Sequence, residues 1–528
     1  MKRNKLNENK KVKKTINKKD VIISIVVFIC LIIIYLPWLH GHNSGDNYVI
    51  ANDGYIEYAK QNFLPSGRIV TALFAMIMNL LNVNIKVATS ISLFISIIIQ
   101  VITIMYLKNI IKKYKKNEEK SLFKVCVRDA VETLISLSIV SNFFMVDCEC
   151  FFESFVLALS FLLAIIAANT LINKKNIKGS INALILCVVA SICYQSSITV
   201  FMAFTLLIGL LNNEYCESGK KQEIIKMTFK SILIAFLAFI INLGLIKISN
   251  IIVLINTPSL ISSVGEKRIS FDILVNIKNI LHNIRYVLIN TCNLFPKYTL
   301  IAFVFEIILI MLLYIMKRGL NIKSILELIF IVIWFIFCSL SISLITTSSF
   351  TTGRVRIAIG MLVGAMLMYE YIKLDLPDFN KEKLLSSFFI ITLLVYCIMN
   401  AISISGFIID QNEVELLDKE NAELIKEKIE GYEKENNISV IHVIEIPITG
   451  KQSSAYYFEG ELNSSALRTL TTAGACINYY TKRNLIYKSI QDEKENVKVF
   501  MQEENEGKIN EKYYKMVGDT LYIAVYNW

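Results

Sequence analysis

Between residue 21 and about residue 405 the chain repeats one pattern, an apolar run followed by a short polar segment. The runs are about 18–22 residues long and carry few charges, the length a helix needs to cross a hydrocarbon layer roughly 30 Å thick. A soluble chain of 528 residues would instead alternate apolar and polar faces. In lipid only helices or closed barrels satisfy their own backbone, and these runs are too long for barrel strands. The pattern predicts a polytopic α-helical membrane protein with about eleven spans.

Nine Lys and Arg residues occupy the first 20 positions, and eight more lie from Lys108 to Arg128. Basic residues gather in loops on the cytoplasmic side. The expected topology therefore has a cytoplasmic N-terminus and an extracytoplasmic C-terminus. A cleaved signal peptide would share the basic flank of 21–38, but no small-x-small site follows it, which favours an uncleaved first span. Gly67–Asn82 is an apolar stretch of only about 16 residues, short for a crossing. If it spanned, Lys108–Arg128 would face outward, so an interfacial or re-entrant helix on the outer face is expected. The run 181–212 is too long for one helix and is divided at Tyr194-Gln195-Ser196-Ser197. Outward segments follow at Asp147–Phe152, 249–297 and Thr346–Arg356, and the last span is at 384–405.

Composition changes near residue 406. Residues 413–434 have the pattern of an exposed amphipathic helix, Val440–Ile448 and Thr520–Val525 of strands, and 464–485 of a helix. The chain thus divides into a basic tail (1–20), a transmembrane domain (21–405) and a small extracytoplasmic α/β domain (406–528). The net charge of +11 sits in inner loops and does not point to nucleic acid. Eleven cysteines, scattered mostly through apolar spans, give neither a disulfide framework nor metal-ligand spacing.

Under this topology the outer face gathers Asp46, Asp53, Glu57, Arg68, Asp147, Glu149, Glu153, Tyr194, Gln195, Lys267, Arg268, Arg354 and Arg356. Glu153 opens the apolar run FESFVLALSFLLAIIA, where a carboxylate must meet a polar cavity, a partner or the helix N-terminus. Glu57 and Glu149 have the setting of solvated loop acids. Moving a sugar from a lipid phosphate needs a carboxylate to deprotonate the incoming hydroxyl and cations to hold the departing phosphate, which suits arginine. Asp53 and Asp46 supply the first requirement. Arg68, Arg354 and Arg356 supply the second, and Glu153, Tyr194 and Gln195 add polar groups to orient substrate.

Several segments in order resemble the GtrII-type membrane glucosyltransferases of bacteria. Asn52-Asp53-Gly54-Tyr55 with Gly67-Arg68 resembles the family's acidic motif and following Gly-Arg. Phe152-Glu153-Ser154 with Ala158-Leu159-Ser160 resembles its Phe-Asp-Ser stretch, here with Glu for Asp. Tyr194-Gln195 resembles its Tyr-Gln break, and Ile477-Asn478-Tyr479-Tyr480 matches loosely. Asn52 stands where the family often has a second acid. The resemblance implies a GT-C-like fold, a polyprenyl-phosphate-linked sugar donor, a surface glycan or glycolipid acceptor, and Asp53 as leading base with Asp46 second. The outward carboxylates could also ligate a divalent cation (Mg or Mn), without dedicated spacing. The alternative is a transporter or flippase of lipid-linked glycans, which calls for internal repeats and charges near mid-membrane; by sequence, most ionisable residues sit at span ends.

Overall fold

The computed structural model describes residues 18–115, 122–174, 176–212, 221–256, 272, 274–281, 297–319, 322–344, 353–373, 383–446, 465–468, 470–486 and 514–526. Lys267 and Arg268, and residues 346–352 of the loop ahead of Arg354, lie outside them. Helix α1 (Lys18–Leu39) shows how the pattern becomes a bundle. Its buried residues Val27, Leu31, Tyr35 and Trp38 recur at helical spacing, one stripe facing the protein. Ile22, Ile25, Val26, Ile29 and Ile33 remain exposed on the other side, a surface suited to acyl chains rather than water.

The chain continues through α2 (Gly45–Asp53), α3 (Tyr55–Tyr58), a π-helical turn at Ala59–Phe63, α4 (Ile69–Leu80) and α5 (Ile85–Tyr114). Helices α6 (Leu122–Val140), α7 (Phe143–Glu149), α8 (Ser154–Asn173), α9 (Ile177–Cys193) and α10 (Ser197–Leu211) follow. Every residue of α10 is buried, because α8, α9, α11 (Lys221–Asn256) and α14 (Ile322–Ser341) pack around it. The remaining helices are α12 (274–281), α13 (Lys297–Arg318), α15 (Ile357–Gly360), α16 (Leu362–Lys373), α17 (Lys383–Glu435) and α18 (Leu470–Thr481).

Among the described residues six helices are long and apolar enough to cross a membrane, or seven if α6 and α7, bent by 57° at their break, form one span. This is consistent with a multi-pass helical membrane protein. Helix α4 has 12 residues, about 18 Å of rise, and is too short to cross. It buries Ala72, Ala75 and Met78 while exposing Leu73, Met76, Ile77 and Leu80.

The last apolar run and the polar 413–434 segment form one 53-residue helix, α17. The expected boundary near 406 therefore falls inside a continuous helix. Beyond the apolar part, Val414, Ala422, Ile425 and Ile429 line its buried side. Strands β1 (Val440–Ile446), β2 (Tyr514–Val517) and β3 (Thr520–Tyr526) form a sheet in the order β1-β3-β2. β1 runs parallel to β3, pairing Val440 with Thr520, and β2 runs antiparallel to it.

A second core joins this sheet to the polar segment that follows α1. Tyr48, Val49, Ile50, Phe63, Phe74 and Phe152 share it with Ile425, Val443, Ile477, Leu521 and Ile523. Polar contacts fasten the same junction. Tyr48 and Tyr480 hydroxyls meet at 3.0 Å, Asn478 donates to Asn52 at 2.9 Å, and Glu415 accepts from the Asn43 backbone at 2.9 Å and from Lys86 at 2.6 Å.

Candidate functional site

Four helix ends converge beneath the polar segment that follows α1. Arg68 stands at the N-terminal cap of α4 and Glu153 at that of α8. Their side chains form an ion pair at 2.8 Å, with Glu153 almost wholly buried. Tyr194 caps the C-terminus of α9, and the Arg68 guanidinium lies over its ring, 5.0 Å from the centroid. Gln195, in the break between α9 and α10, donates to the Ser66 carbonyl and ties the loop down. Arg354 receives Asp147 in two places, at its backbone N–H (2.7 Å) and its guanidinium (3.1 Å), while lying 4.1 Å from the centre of the Phe151 ring. Ser196 donates to the Arg354 carbonyl at 3.1 Å.

Asp46 joins this group from the first turn of α2. Its charge acts on both the Tyr58 phenol and Glu153. Burial pushes the Glu153 carboxyl upward, and the Arg68 guanidinium opposes that shift. Burial, with Asp46 and Glu153 adding, holds the Tyr58 phenol well above its ordinary value, so Tyr58 keeps its proton. Arg68 Nε is buried with no protein partner, which leaves a charged donor inside the cluster.

The backbone that brings Arg68 here depends on one glycine. Gly67 has φ +74°, and a Cβ there would come within 2.6 Å of Ile246 Cγ1. Gly67→Ala is expected to destabilise the protein by about 1–2 kcal/mol from the left-handed backbone alone, with more for displacing Ile246. Thermal unfolding of the detergent-solubilised variant measures this, and an unchanged midpoint would refute it.

Asp53 is placed differently. It lies seven residues beyond Asp46 on α2, about 10 Å farther along the axis. It accepts from Asn52 at 2.8 Å at the end of α2 that meets the C-terminal domain. Arg356 does not share the contacts of Arg354. It is fully buried and donates to the Ser339 carbonyl and, at 2.7 Å, to Ser343 Oγ, holding the C-terminal end of α14, where carbonyls lack helical partners. Glu149 is not a solvated acid: it is wholly buried and accepts from Ser96 at 2.8 Å and Gln100 at 2.9 Å. Glu57 remains partly exposed beside Gln61 and Lys60.

Residues passed over in the sequence also shape the site. His42 is fully buried, stacks on Trp38 at 4.5 Å and donates from Nε2 to the Cys150 carbonyl at 2.9 Å. Burial lowers its pKa, so it is neutral and fastens the loop to the α7–α8 turn. Gln411 bridges the Trp38 indole and the Asn43 carbonyl. The spacing of Gln411, Glu415 and Asp418 along one side of a helix was the available signal. Among the described residues no group of three His, Cys, Asp or Glu side chains is placed to hold a metal ion, and Glu153 is engaged by Arg68. No protein-family model matches the chain, and no curated protein is significantly similar to it.

Proposed function

We propose that this protein is a GT-C-like membrane glycosyltransferase of about eleven spans, with the N-terminus inside and the C-terminal domain outside. It moves glucose or a related hexose from a polyprenyl-phosphate donor to a surface glycan or glycolipid. The shorter apolar helices α9 and α10 count among the spans, and α4 lies at the outer surface. The observation that carries the reading is the meeting of Asp46, Arg68, Glu153, Tyr194 and Arg354 under one outer loop.

Each group has a role. Arg68, through its unpartnered Nε, and Arg354 hold the donor phosphate, where a guanidinium matches paired oxygens. Glu153 and Tyr194 fix the orientation of Arg68, and Gln195 fixes the loop that carries it. Asp46 accepts the proton of the acceptor hydroxyl. The hydroxyl oxygen then bonds to the anomeric carbon as the carbon–phosphate-oxygen bond breaks, and that electron pair leaves on the lipid phosphate. Asp53, nearer α18, orients the acceptor. These steps are assigned to side chains alone.

The test is transfer of radiolabelled glucose from polyprenyl-phosphate-glucose in membranes containing the protein, with native surface glycan supplied. A labelled glycan is expected. No transfer by correctly inserted protein with a competent acceptor would reject the glucose donor and leave the transporter reading, which Glu306, buried midway along α13, favours.

A further inference from the structure

We propose that Glu306, Tyr396 and Asn400 form a binding site for one monovalent cation, a proton or an alkali ion, inside the helical bundle. Glu306 is 1% exposed, Tyr396 2% and Asn400 4%. Both carboxylate oxygens of Glu306, the Tyr396 hydroxyl and the Asn400 Nδ2 are buried without hydrogen-bond partners. Three side chains from two packed helices, α13 and α17, thus leave their polar atoms unsatisfied. Glu306 is close enough for its charge to act on both Tyr396 and Cys397, so these groups share one locality.

An unpaired carboxylate in such a place is unfavourable unless a positive charge accompanies it. Among the described residues no Lys or Arg acts on Glu306. The titratable groups facing it are Tyr396 and Cys397, and the Cys397 thiol points to the Leu134 carbonyl at 3.7 Å. Of the other helices packed on α13, α16 carries Glu370, a second acid buried without partners, but its charge does not act on Glu306. Tyr369 of α16 stacks on Tyr314 and donates to Glu327 of α14 at 2.7 Å. One positive charge balances the single carboxylate. The phenol oxygen and the amide, turned to present Oδ1, complete a set of oxygen acceptors for a carboxylic proton or ligands for a small alkali ion. A divalent ion would leave excess charge.

Glu306 is the tenth residue of α13, about 14 Å from its N-terminal end, so the site lies well below the outer cluster. Its test does not depend on sugar transfer. The full chain in detergent is treated with dicyclohexylcarbodiimide, which modifies protonated carboxyls in apolar surroundings, and modification of Glu306 is read by peptide mass spectrometry. In choline buffer, modification is expected at acid pH and to fall as pH rises, which identifies the proton. Protection by added sodium or potassium at fixed pH, absent with choline, identifies the alkali ion. Tyr396→Phe and Asn400→Leu should each shift the midpoint of pH or of alkali-ion protection by tenfold or more in cation concentration. A Glu306 that is unmodified at every pH and insensitive to both ions overturns the site. Midpoints unmoved by both variants, in protein of unchanged thermal stability, overturn its composition.

Discussion

Asp46→Asn is expected to abolish the proposed sugar transfer, and Asp53→Asn to retain most of it. The loss expected for Asp46 is about 10²–10⁴-fold, the range for removing a general base, because an amide cannot take the acceptor's proton. Asp46 sits with Arg68 and Glu153, where a donor phosphate is held in the proposed site, whereas Asp53 is about 10 Å away along α2. For Asp53→Asn a change in apparent acceptor affinity is expected, with little change in maximal rate. Initial rates in membranes with equal amounts of inserted protein decide between them. If Asp53→Asn is inactive and Asp46→Asn active, the roles are reversed. If both are fully active, neither is the base.

Arg68→Ala has the second large effect, and it separates stability from chemistry. Removing one partner of a buried ion pair costs about 3–5 kcal/mol, because the other charge is left behind. In the variant burial and Asp46 still raise the Glu153 pKa, while the largest opposing influence, the Arg68 guanidinium, is gone and only Arg354 and a backbone hydrogen bond still lower it. A carboxyl whose folded pKa lies above its unfolded value favours the fold at low pH, and that contribution fades as pH rises through the folded value. The stability deficit of Arg68→Ala should therefore grow from acid to neutral pH. Adding Glu153→Gln removes the stranded charge and should recover most of the stability at neutral pH. Transfer should stay lost in the double variant, since the phosphate still lacks its guanidinium. Recovered transfer would reduce Arg68 to a structural partner.

The sequence made some of this legible and hid the rest for physical reasons. The break at Tyr194–Ser197 was visible because polar residues interrupt a run that must otherwise satisfy lipid. The short α4 was visible because length alone limits what can cross. Arg68 and Glu153 were each visible as charges at span ends, but their pairing joins residues 85 positions apart, and no local period encodes it. Glu149 misled because an acid between two cysteines looks like a loop residue, while Ser96 and Gln100 on α5 receive it from a distant part of the chain. Arg356 misled because two arginines two positions apart suggest one ligand, whereas their side chains bond to different elements. The composition change near 406 marks where the surroundings of α17 turn from apolar to polar. Backbone hydrogen bonding is indifferent to that change, so the helix continues through it.

The bond between the Asn43 backbone and Glu415 spans 372 residues, and this fixes an order in time. At about 5–20 residues per second of synthesis, the segment after α1 emerges roughly 20–75 s before α17 and the sheet that complete its core. During that interval Tyr48, Val49 and Ile50 have no C-terminal partners, and Asp46 sits on a helix without its support. The site is thus among the last parts of the molecule to be finished. A nascent chain halted before α17 would carry most of the apolar helices yet lack the C-terminal half of this core.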